Sequence, residues 1–458
     1  MNPVEGTILT VLRKSFDILD HHESFNAYFK TSLERAKIAL KETTEELEVL
    51  KKNKVVDAGA EGFTAFLEGI NYYLETGVVD VPIIVEAIET TPDIHEMVVT
   101  ERFCTEALLI NVNRTAPDLR NLFQEHGSSL IVSGRQEKMR IHIHTDHPDR
   151  FFLKLREYGQ IVDQKVDDMI REQTSMQENK PKIALVTDTI ADIPNELLDQ
   201  YNIHQLPMSL MVDGVSYIDR FSISNETFYE LLQKAESFSS AQPDKRTIER
   251  LFDFLSDHYE QILVITVSSQ MSGTYNSLVQ YQKTNPKLHL FDSRQNSASE
   301  GLLVVNAARM IASGKSLAEI VEQLELLAKR TKIYVSVKTL KYMVKQGRVS
   351  KVTGLAAKIL NLKPVVSIDA DGKGMIKEKA LSLKKNQKQI VKLLKQKPVD
   401  EYVVVHALDP ERAQKLADRI AAEVGKQPTF ITSISPIVAM NAGIGAVAAA
   451  AVFTEEVE

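Results

Sequence analysis

Ile183-Ala184-Leu185-Val186-Thr187-Asp188-Thr189-Ile190-Ala191-Asp192-Ile193-Pro194 is the stretch that decides how the larger part of this chain folds. A short apolar run, Ile183 to Val186, ends in polar Thr187-Asp188-Thr189, and a helical segment follows from Ala191 to Tyr201. The same order of residue types returns twice. Ile262 to Val267 leads into Ser268-Ser269-Gln270-Met271-Ser272-Gly273-Thr274-Tyr275, and Leu288 to Leu290 leads into Phe291-Asp292-Ser293. A further polar run, Ser239-Ser240-Ala241-Gln242-Pro243, lies between the first two. Strands alternating with helices to about Arg330 imply a parallel sheet. In open α/β sheets ligands sit beyond the carboxyl ends of the strands, where small hydroxyls and helix N-termini hold a carboxylate or phosphate without a metal. Thr187, Asp188, Ser268 and Ser269 are candidates for that role, with side-chain hydroxyls and free backbone N–H groups expected to converge on one anion. A lipid carboxylate fits, because the rest of a cleft between two lobes can be apolar.

Strand candidates resume at Ile333 to Val337, Pro364 to Ile368, Glu401 to His406 and Thr429 to Ile434, which implies a second α/β lobe. Upstream, Glu172 to Pro181 is polar and reads as a linker. Ahead of it, from about Ile94 to Asp168, the order is β-α-β-β-α-β. Strands are expected at Cys104 to Val112, Ser129 to Ser133, Met139 to Thr145 and Gln160 to Lys165, with helices at Asp118 to Glu125 and Phe151 to Tyr158 and a hairpin around Gly134. That order suggests a ferredoxin-like α+β domain. The first 75 or so residues carry apolar residues at helical spacing, among them Ile8, Val11, Leu12, Phe16, Phe25, Phe29 and Leu33. Thr43-Thr44-Glu45-Glu46 reads as a capping-box start for a third helix, and Val56 to Gly62 as a turn before a helix from Phe63 to Leu74. The fold class is therefore multidomain α/β: part of an all-α bundle at 1–80, the α+β domain at 85–171, and a two-lobed α/β domain at 180–458.

A chain of 458 residues suggests about three domains. A net charge of −7 disfavours broad nucleic-acid binding. No apolar run approaches the roughly 18 residues that span a bilayer, so an integral membrane protein is not expected. Met1 to Gly6 has neither the basic nor the apolar region of a signal peptide. One cysteine, Cys104, leaves no intramolecular disulfide, and together these points place the chain in the cytosol.

Ile141-His142-Ile143-His144 puts two imidazoles on one face of a strand, because side chains alternate with period two. Cys104 opens the first strand of the same small sheet. Cys plus two His is a zinc-compatible set with one position left, which Asp146 or His147 would fill; the bland alternative is a free cysteine and two histidines on a polar sheet face. Gly443-Ile444-Gly445-Ala446-Val447-Ala448 mimics a dinucleotide fingerprint, but no βαβ unit or downstream acid accompanies it. A tight turn with close helix packing is expected there.

Val186-Thr187-Asp188-Thr189-Ile190-Ala191-Asp192-Ile193-Pro194 resembles the opening motif of the DegV family. Gln242-Pro243, Ser269 to Tyr275, Phe291-Asp292-Ser293, Gly347-Arg348-Val349 and Lys363-Pro364 follow in the family's order, so the resemblance runs from about Lys182 onward. It implies a two-lobed carrier in which an acyl chain is buried and its carboxylate is held by Thr/Ser hydroxyls. By motif position Ser240 and Ser269 are those groups, with Ser239 and Ser268 beside them. Two positions depart from the family. Lys379-Ala380-Leu381-Ser382-Leu383 stands where an Arg is frequent, and Asn441 stands where a His is usual. A His-to-Asn change keeps hydrogen bonding and loses the option of charge. Phe103-Cys104-Thr105-Glu106 and His142-Ile143-His144-Thr145-Asp146 resemble the middle domain of fatty acid kinase A, which implies a metal at Cys104, His142 and His144.

Val4-Glu5-Gly6-Thr7-Ile8-Leu9-Thr10-Val11 and Leu50-Lys51 through Gly62 resemble the second half of a DhaL-type kinase domain, as in dihydroxyacetone kinases. The resemblance implies nucleotide-site loops at Thr7, Asp57 and Gly59. No Asp-Gly-Asp-type cluster precedes Thr100, and without carboxylates for Mg²⁺, phosphoryl transfer has no stabiliser. Those residues are therefore expected as relics or helix caps, no nucleotide is expected without the missing half, and no catalysis is expected from this chain alone. Either the chain is naturally short, its start lies upstream, or a separate polypeptide supplies the rest. The expected function is binding of a long-chain fatty acid linked to fatty-acid-kinase-type phosphorylation, with zinc as the candidate cofactor. The candidate protein partners are a second copy of the chain and a kinase subunit. The alternative is a scaffold or regulatory subunit of a DhaL-type kinase that carries no lipid.

Overall fold

The computed structural model describes residues 5–17, 24–53, 55–79, 99–348 and 363–457. Two compact units divide between Val99 and Thr100. The opening of the α+β region expected from about Ile94, and so the start of the domain placed at 85–171, lies outside the described residues, as do Met1 to Val4 and Val349.

The first unit is helical: α1 (Ile8–Phe16), α2 (Phe25–Glu46), α3 (Glu48–Asn53) and α4 (Ala58–Thr76). Val11, Ala36, Ala39, Ala60 and Leu67 form its core, with Phe16, Phe29 and Phe63 packed against them. Thr43 and Thr44 do not start a helix. They lie in the last turn of α2, where the Thr43 hydroxyl donates to the Leu40 carbonyl, and the break comes at extended Leu47. Val56 to Gly62 is not all turn either. Asp57 caps α4, accepting from Ala60 N at 2.8 Å, so the helix begins five residues before Phe63.

The second unit opens with β1 (Phe103–Ile110), α5 (Ala116–Phe123), β2 (Ser128–Arg135), β3 (Lys138–Thr145), α6 (Pro148–Leu155) and β4 (Gln160–Asp168). The sheet order β2-β3-β1-β4, antiparallel throughout, is that of a ferredoxin-like domain. Thr105, Ala107 and Leu109 point to the helices and build the core; Cys104 and Glu106 point the other way. The hairpin turns at Gln136-Glu137, with Gly134 inside β2. The stretch expected as a linker starts in α7 (Met169–Met176). Asp168 caps this helix, and buried Arg171 fixes it: the guanidinium donates to the carbonyls of Leu198 and Ile203 and pairs with Asp168 and Asp199. Arg102 pairs with the same two carboxylates.

The two-lobed part begins with β5 (Ile183–Asp188), α8 (Asn195–Gln200) and β6 (His204–Leu206). A small antiparallel sheet then forms from β7 (Ser209–Val212), β8 (Val215–Ile218) and, after α9 (Asn225–Lys234), β9 (Phe238–Ala241). The first lobe is completed by α10 (Lys245–His258), β10 (Gln261–Thr266), α11 (Thr274–Thr284), β11 (Leu288–Asp292) and α12 (Ala298–Ala312). Its main sheet, β11-β10-β5-β6, is parallel. The second lobe contains α13 (Leu317–Arg330), β12 (Thr331–Ser336), α14 (Lys341–Lys345), β13 (Val365–Ile368), β14 (Gly374–Glu378), α15 (Leu383–Leu394), β15 (Val399–His406), α16 (Pro410–Val424), β16 (Ile431–Ser433), α17 (Pro436–Ala442) and β17 (Val447–Phe453).

The sheet of that lobe runs β14-β13-β12-β17-β15-β16 and is mostly antiparallel. The alanine-rich β17 lies at its centre. Burial on both faces outweighs the poor strand propensity of alanine, and α12 packs on this strand as well as on β5 and β10 of the first lobe. The glycine run before β17 follows a helix and opens a strand, the reverse of a dinucleotide fingerprint. Gly443 and Gly445 take φ of +81° and +77° there, with Tyr342 and Lys338 against them.

Candidate functional site

The polar runs at the strand ends bond mainly to one another. Asp188, fully buried, accepts from Ile190 N with one oxygen and from Val267 N with the other, both at 3.0 Å, so the end of β5 holds the end of β10. Asp292, at the end of β11, accepts from Ser269 N at 3.1 Å and Arg294 N at 3.0 Å. The backbone N–H groups from Val267 to Ser272 all donate within the protein, to Asp188, Gln295, Asp292 and Ser268. The expectation of free N–H groups on this loop is not met, because the loop folds back on Ser268, whose carbonyl accepts from Met271 N and Ser272 N and whose hydroxyl accepts from Gln270 N. That hydroxyl also donates to the carbonyl of Gly372, across to the second lobe. Gln242 lies so close to Gly273 that a Cβ there would sit 2.1 Å from its amide nitrogen; the run from Ser239 to Pro243 is thereby seated on the loop after β10.

Between the lobes lies a cavity with ≈ 970 Å³ of unfilled space, its open mouth included. The first lobe contributes Ile190, Met208, Val267 and Met271. From the second come Ile333, Val335, Val366, Ile368 and Val405 of the sheet, Ile437 and Val438 of α17, Ala446 just ahead of β17 and Ala448 within it. Among the described residues the polar lining is Ser240, Ser272, Asn296, Ser297, Ser367 and Asn441, and the one charged lining residue is Arg348, which is exposed. Such a cavity suits a ligand that is mostly hydrocarbon with a small polar end.

Of the residues singled out from the sequence, Ser240 and Asn441 line this cavity. Thr187, Asp188, Ser239, Ser268 and Ser269 stand outside its lining. Thr187 is buried with its hydroxyl 3.5 Å from Glu300, Ser239 is exposed on the edge strand β9, and Ser269 is half-buried. Asn441 donates to the Ile437 carbonyl at 2.8 Å, while its amide oxygen is buried without a partner. Leu381, at the position where the family's Arg is frequent, is 76% exposed and away from the cavity. Ser272, Asn296 and Ser297 were not singled out. Ser272 falls within the polar run from Ser268 to Tyr275, three residues past Ser269; no local pattern marks Ser297, which adopts a positive φ of 56°.

Behind Ser297 sits Asp192, wholly buried. It accepts from the Ser297 hydroxyl, from Arg220, and from Ser435 N at 2.8 Å. Burial pushes its pKa up to about 6 against the pull of these donors. Asp188 also rises to about 6 and Asp219 to about 7, both chiefly by burial, and buried Glu300 is raised well above the usual carboxylate range. Gly301 lets the Asp192 backbone approach α12, since a Cβ would lie 3.1 Å from the Asp192 carbonyl oxygen.

A second constellation lies on the open face of the ferredoxin-like sheet. Cys104 is paired in register with His144, and Glu106 with His142. The cysteine sulfur and one ring nitrogen of each histidine lie within 4.8 Å of one another. Cys104 Sγ is 3.9 Å from His142 Nδ1, and all three residues are half-buried. A thiolate and two imidazoles suit a soft divalent ion such as zinc. Asp146 accepts from Arg102 N instead, and neither it nor His147 joins the group. Glu106 is the nearer carboxylate, 3.6 Å from His142 Nδ1. In the first unit Thr7 and Asp57 are the N-caps of α1 and α4, and Asp57 accepts from both Ile8 N and Ala60 N, with Gly59 against it.

This architecture defines a class: two α/β lobes enclosing an apolar cavity with neutral polar groups in its wall. The chain belongs to the DegV family, whose model, described as an uncharacterised protein family, matches residues 182–454. Residues 100–176 match the middle domain typical of fatty acid kinase A-like proteins, and residues 1–72 match the DAK2 domain. A DegV domain-containing protein of Clostridium acetobutylicum is 32% identical over 270 residues, covering 58% of this chain and 96% of that protein. The structure of DegV from Bacillus subtilis, described as a fatty acid binding protein, superposes with a TM-score of 0.55 at 26% identity, over 60% of this chain and all of that one. A fatty acid binding DegV family protein of Streptococcus agalactiae gives the same TM-score at 24% identity and shares the fold. Among the described residues no helix is long and apolar enough to cross a membrane.

Proposed function

We propose that this protein binds a long-chain fatty acid in the cavity between its lobes, and that it works beside a fatty-acid-kinase-type phosphorylation in the cytosol. The observation that carries the reading is the wall itself, with branched aliphatic side chains and alanines over most of its surface and Ser240, Ser272 and Asn441 as small neutral groups for the head of the ligand. The fatty-acid-binding relatives and the kinase-like middle segment support it. A lone cysteine beside two histidines suits a reducing compartment. Mass spectrometry of organic extracts from the purified chain, with a fluorescent fatty-acid titration, tests the reading. A long-chain acid in the extract and saturable binding are expected, and empty extracts with no titration reject it.

A scaffold role without lipid is favoured by one observation: Leu381 is exposed and offers no charge to the cavity. The same two measurements separate the readings. For the ferredoxin-like domain the reading is a zinc ion held by Cys104, His142 and His144 in a structural role, supported by the distances among the three ligand atoms. Partnership with a second copy or with a kinase follows from this reading and is tested by sedimentation of the full chain alone and with a candidate kinase.

A further inference from the structure

Four residues of the cavity wall stand in one line across the larger sheet. Val335 of β12 is paired with Val366 of β13 on one side and with Ala448 of β17 on the other, and Ala448 is paired in turn with Val405 of β15. All four line the cavity. Directly opposed residues of an antiparallel ladder project to the same face, so the row is continuous. Three of its members are branched, and the fourth is a methyl group.

The dip continues along the strand. Ala450 lies two positions past Ala448 and shares its face, because side chains alternate with period two, and Ala446 stands just ahead of the strand in the same buried cluster. Ala450 is opposed by Ile333 on one side and Val403 on the other. The central strand is thus a trough floored by methyl groups and walled by β-branched side chains of its neighbours. Ala446 and Ala448 open on the cavity; Ala450 is fully buried in the same cluster as Leu302 of α12. The trough is therefore open at one end and closed by a helix at the other.

We propose that Ala448 determines the acyl-chain length this protein accepts, by setting how far the chain runs along β17 before α12 stops it. The inference rests on the reading of the cavity as a fatty-acid site. Protein interiors are close-packed, so a branched residue at this point would level the row and fill the space that the end of the chain uses. A methylene or two in an apolar pocket changes relative affinity by about 10- to 200-fold.

The test compares dodecanoic with octadecanoic acid as displacers of a fluorescent fatty acid from the full chain. Octadecanoic acid is expected to be the tighter ligand of the unchanged protein, and Ala448→Val should move the ratio of the two affinities toward dodecanoic acid by about tenfold or more. Ala448→Gly, which only removes atoms, should move it the other way. A ratio taken within one preparation does not depend on the fraction folded. Ala449→Val changes the same strand on its opposite face and should leave the ratio unchanged. The proposal is overturned if the ratio stays within about twofold in both Ala448 variants, or if Ala449→Val shifts it as much. An unchanged protein that binds neither acid overturns the fatty-acid reading itself.

Discussion

Asp192 and Ser435 belong to different lobes, and a carboxylate oxygen of the first accepts the backbone N–H of the second at 2.8 Å. The same carboxylate takes the Ser297 hydroxyl and the Arg220 guanidinium. Ser297 is in the cavity wall and Ser435 caps the helix that carries Ile437 and Asn441, so one buried side chain sets the spacing of two walls. Asp192→Ala should destabilise the chain by about 3 kcal/mol, since it strands the half-buried Arg220 and two buried donors. Asp192→Asn should cost about 1–3 kcal/mol. Urea unfolding checks the order, and both variants should lose fatty-acid affinity while still folded.

Asp219 gives a pH signature. Its pKa is raised from 3.8 to about 7 by burial, so the folded protein holds a proton there that the unfolded chain releases. That contribution to stability is complete below the unfolded value and is lost as pH rises through about 7. Asp219→Asn stays neutral throughout. Its melting temperature relative to the unchanged protein should therefore improve between about pH 5 and about pH 8. A difference that does not change with pH would show that the carboxylate is ionised at both.

Ser272 and Ser269 separate the lining from its surroundings. Ser272→Ala should weaken fatty-acid binding by about 0.5–1.5 kcal/mol if a neutral hydrogen bond is lost. Ser269→Ala, which leaves the backbone bond to Asp292 in place, should change affinity by less than about 0.5 kcal/mol. Isothermal titration of the two variants in parallel decides.

Cys104→Ser should abolish zinc binding, which elemental analysis is expected to put at about one ion per chain in the unchanged protein. The variant should also lower the unfolding temperature of the ferredoxin-like domain, and a chelator should do the same to the unchanged protein. A protein that melts identically with and without chelator would leave the two histidines and the cysteine as ordinary surface groups.

The parts legible from sequence share a local cause. The βαββαβ order and the shared face of His142 and His144 follow from period-two alternation, and the parallel sheet follows from apolar runs separated by helices. What stayed hidden depended on distant partners. Val447 to Phe453 gives no local strand signal, because four alanines are strand-forming only when neighbours bury both faces. The loop serines looked free because their acceptors, Gln295, Asp292 and Gly372, come from other elements. Asp192 was visible as part of a motif, but its reach to Ser435 spans 243 positions. Glu172 to Met176 reads as polar linker until Arg171 is seen to anchor that helix from the inside.

The central place of β17 has a consequence for how the protein comes into being. Val447–Phe453 follows every other strand of its sheet in the sequence, yet β12 and β15 meet only through it. During synthesis the domains ahead of it can settle in turn, but β13 with β12 and β15 with β16 must wait as two unjoined pieces with bare edges. Until the ribosome has delivered Val447–Phe453 there is no trough and no closed wall. The nascent chain also carries an exposed sheet edge of the kind that invites wrong pairing. The wall between β12 and β15 thus closes only after every other strand of that sheet has been made.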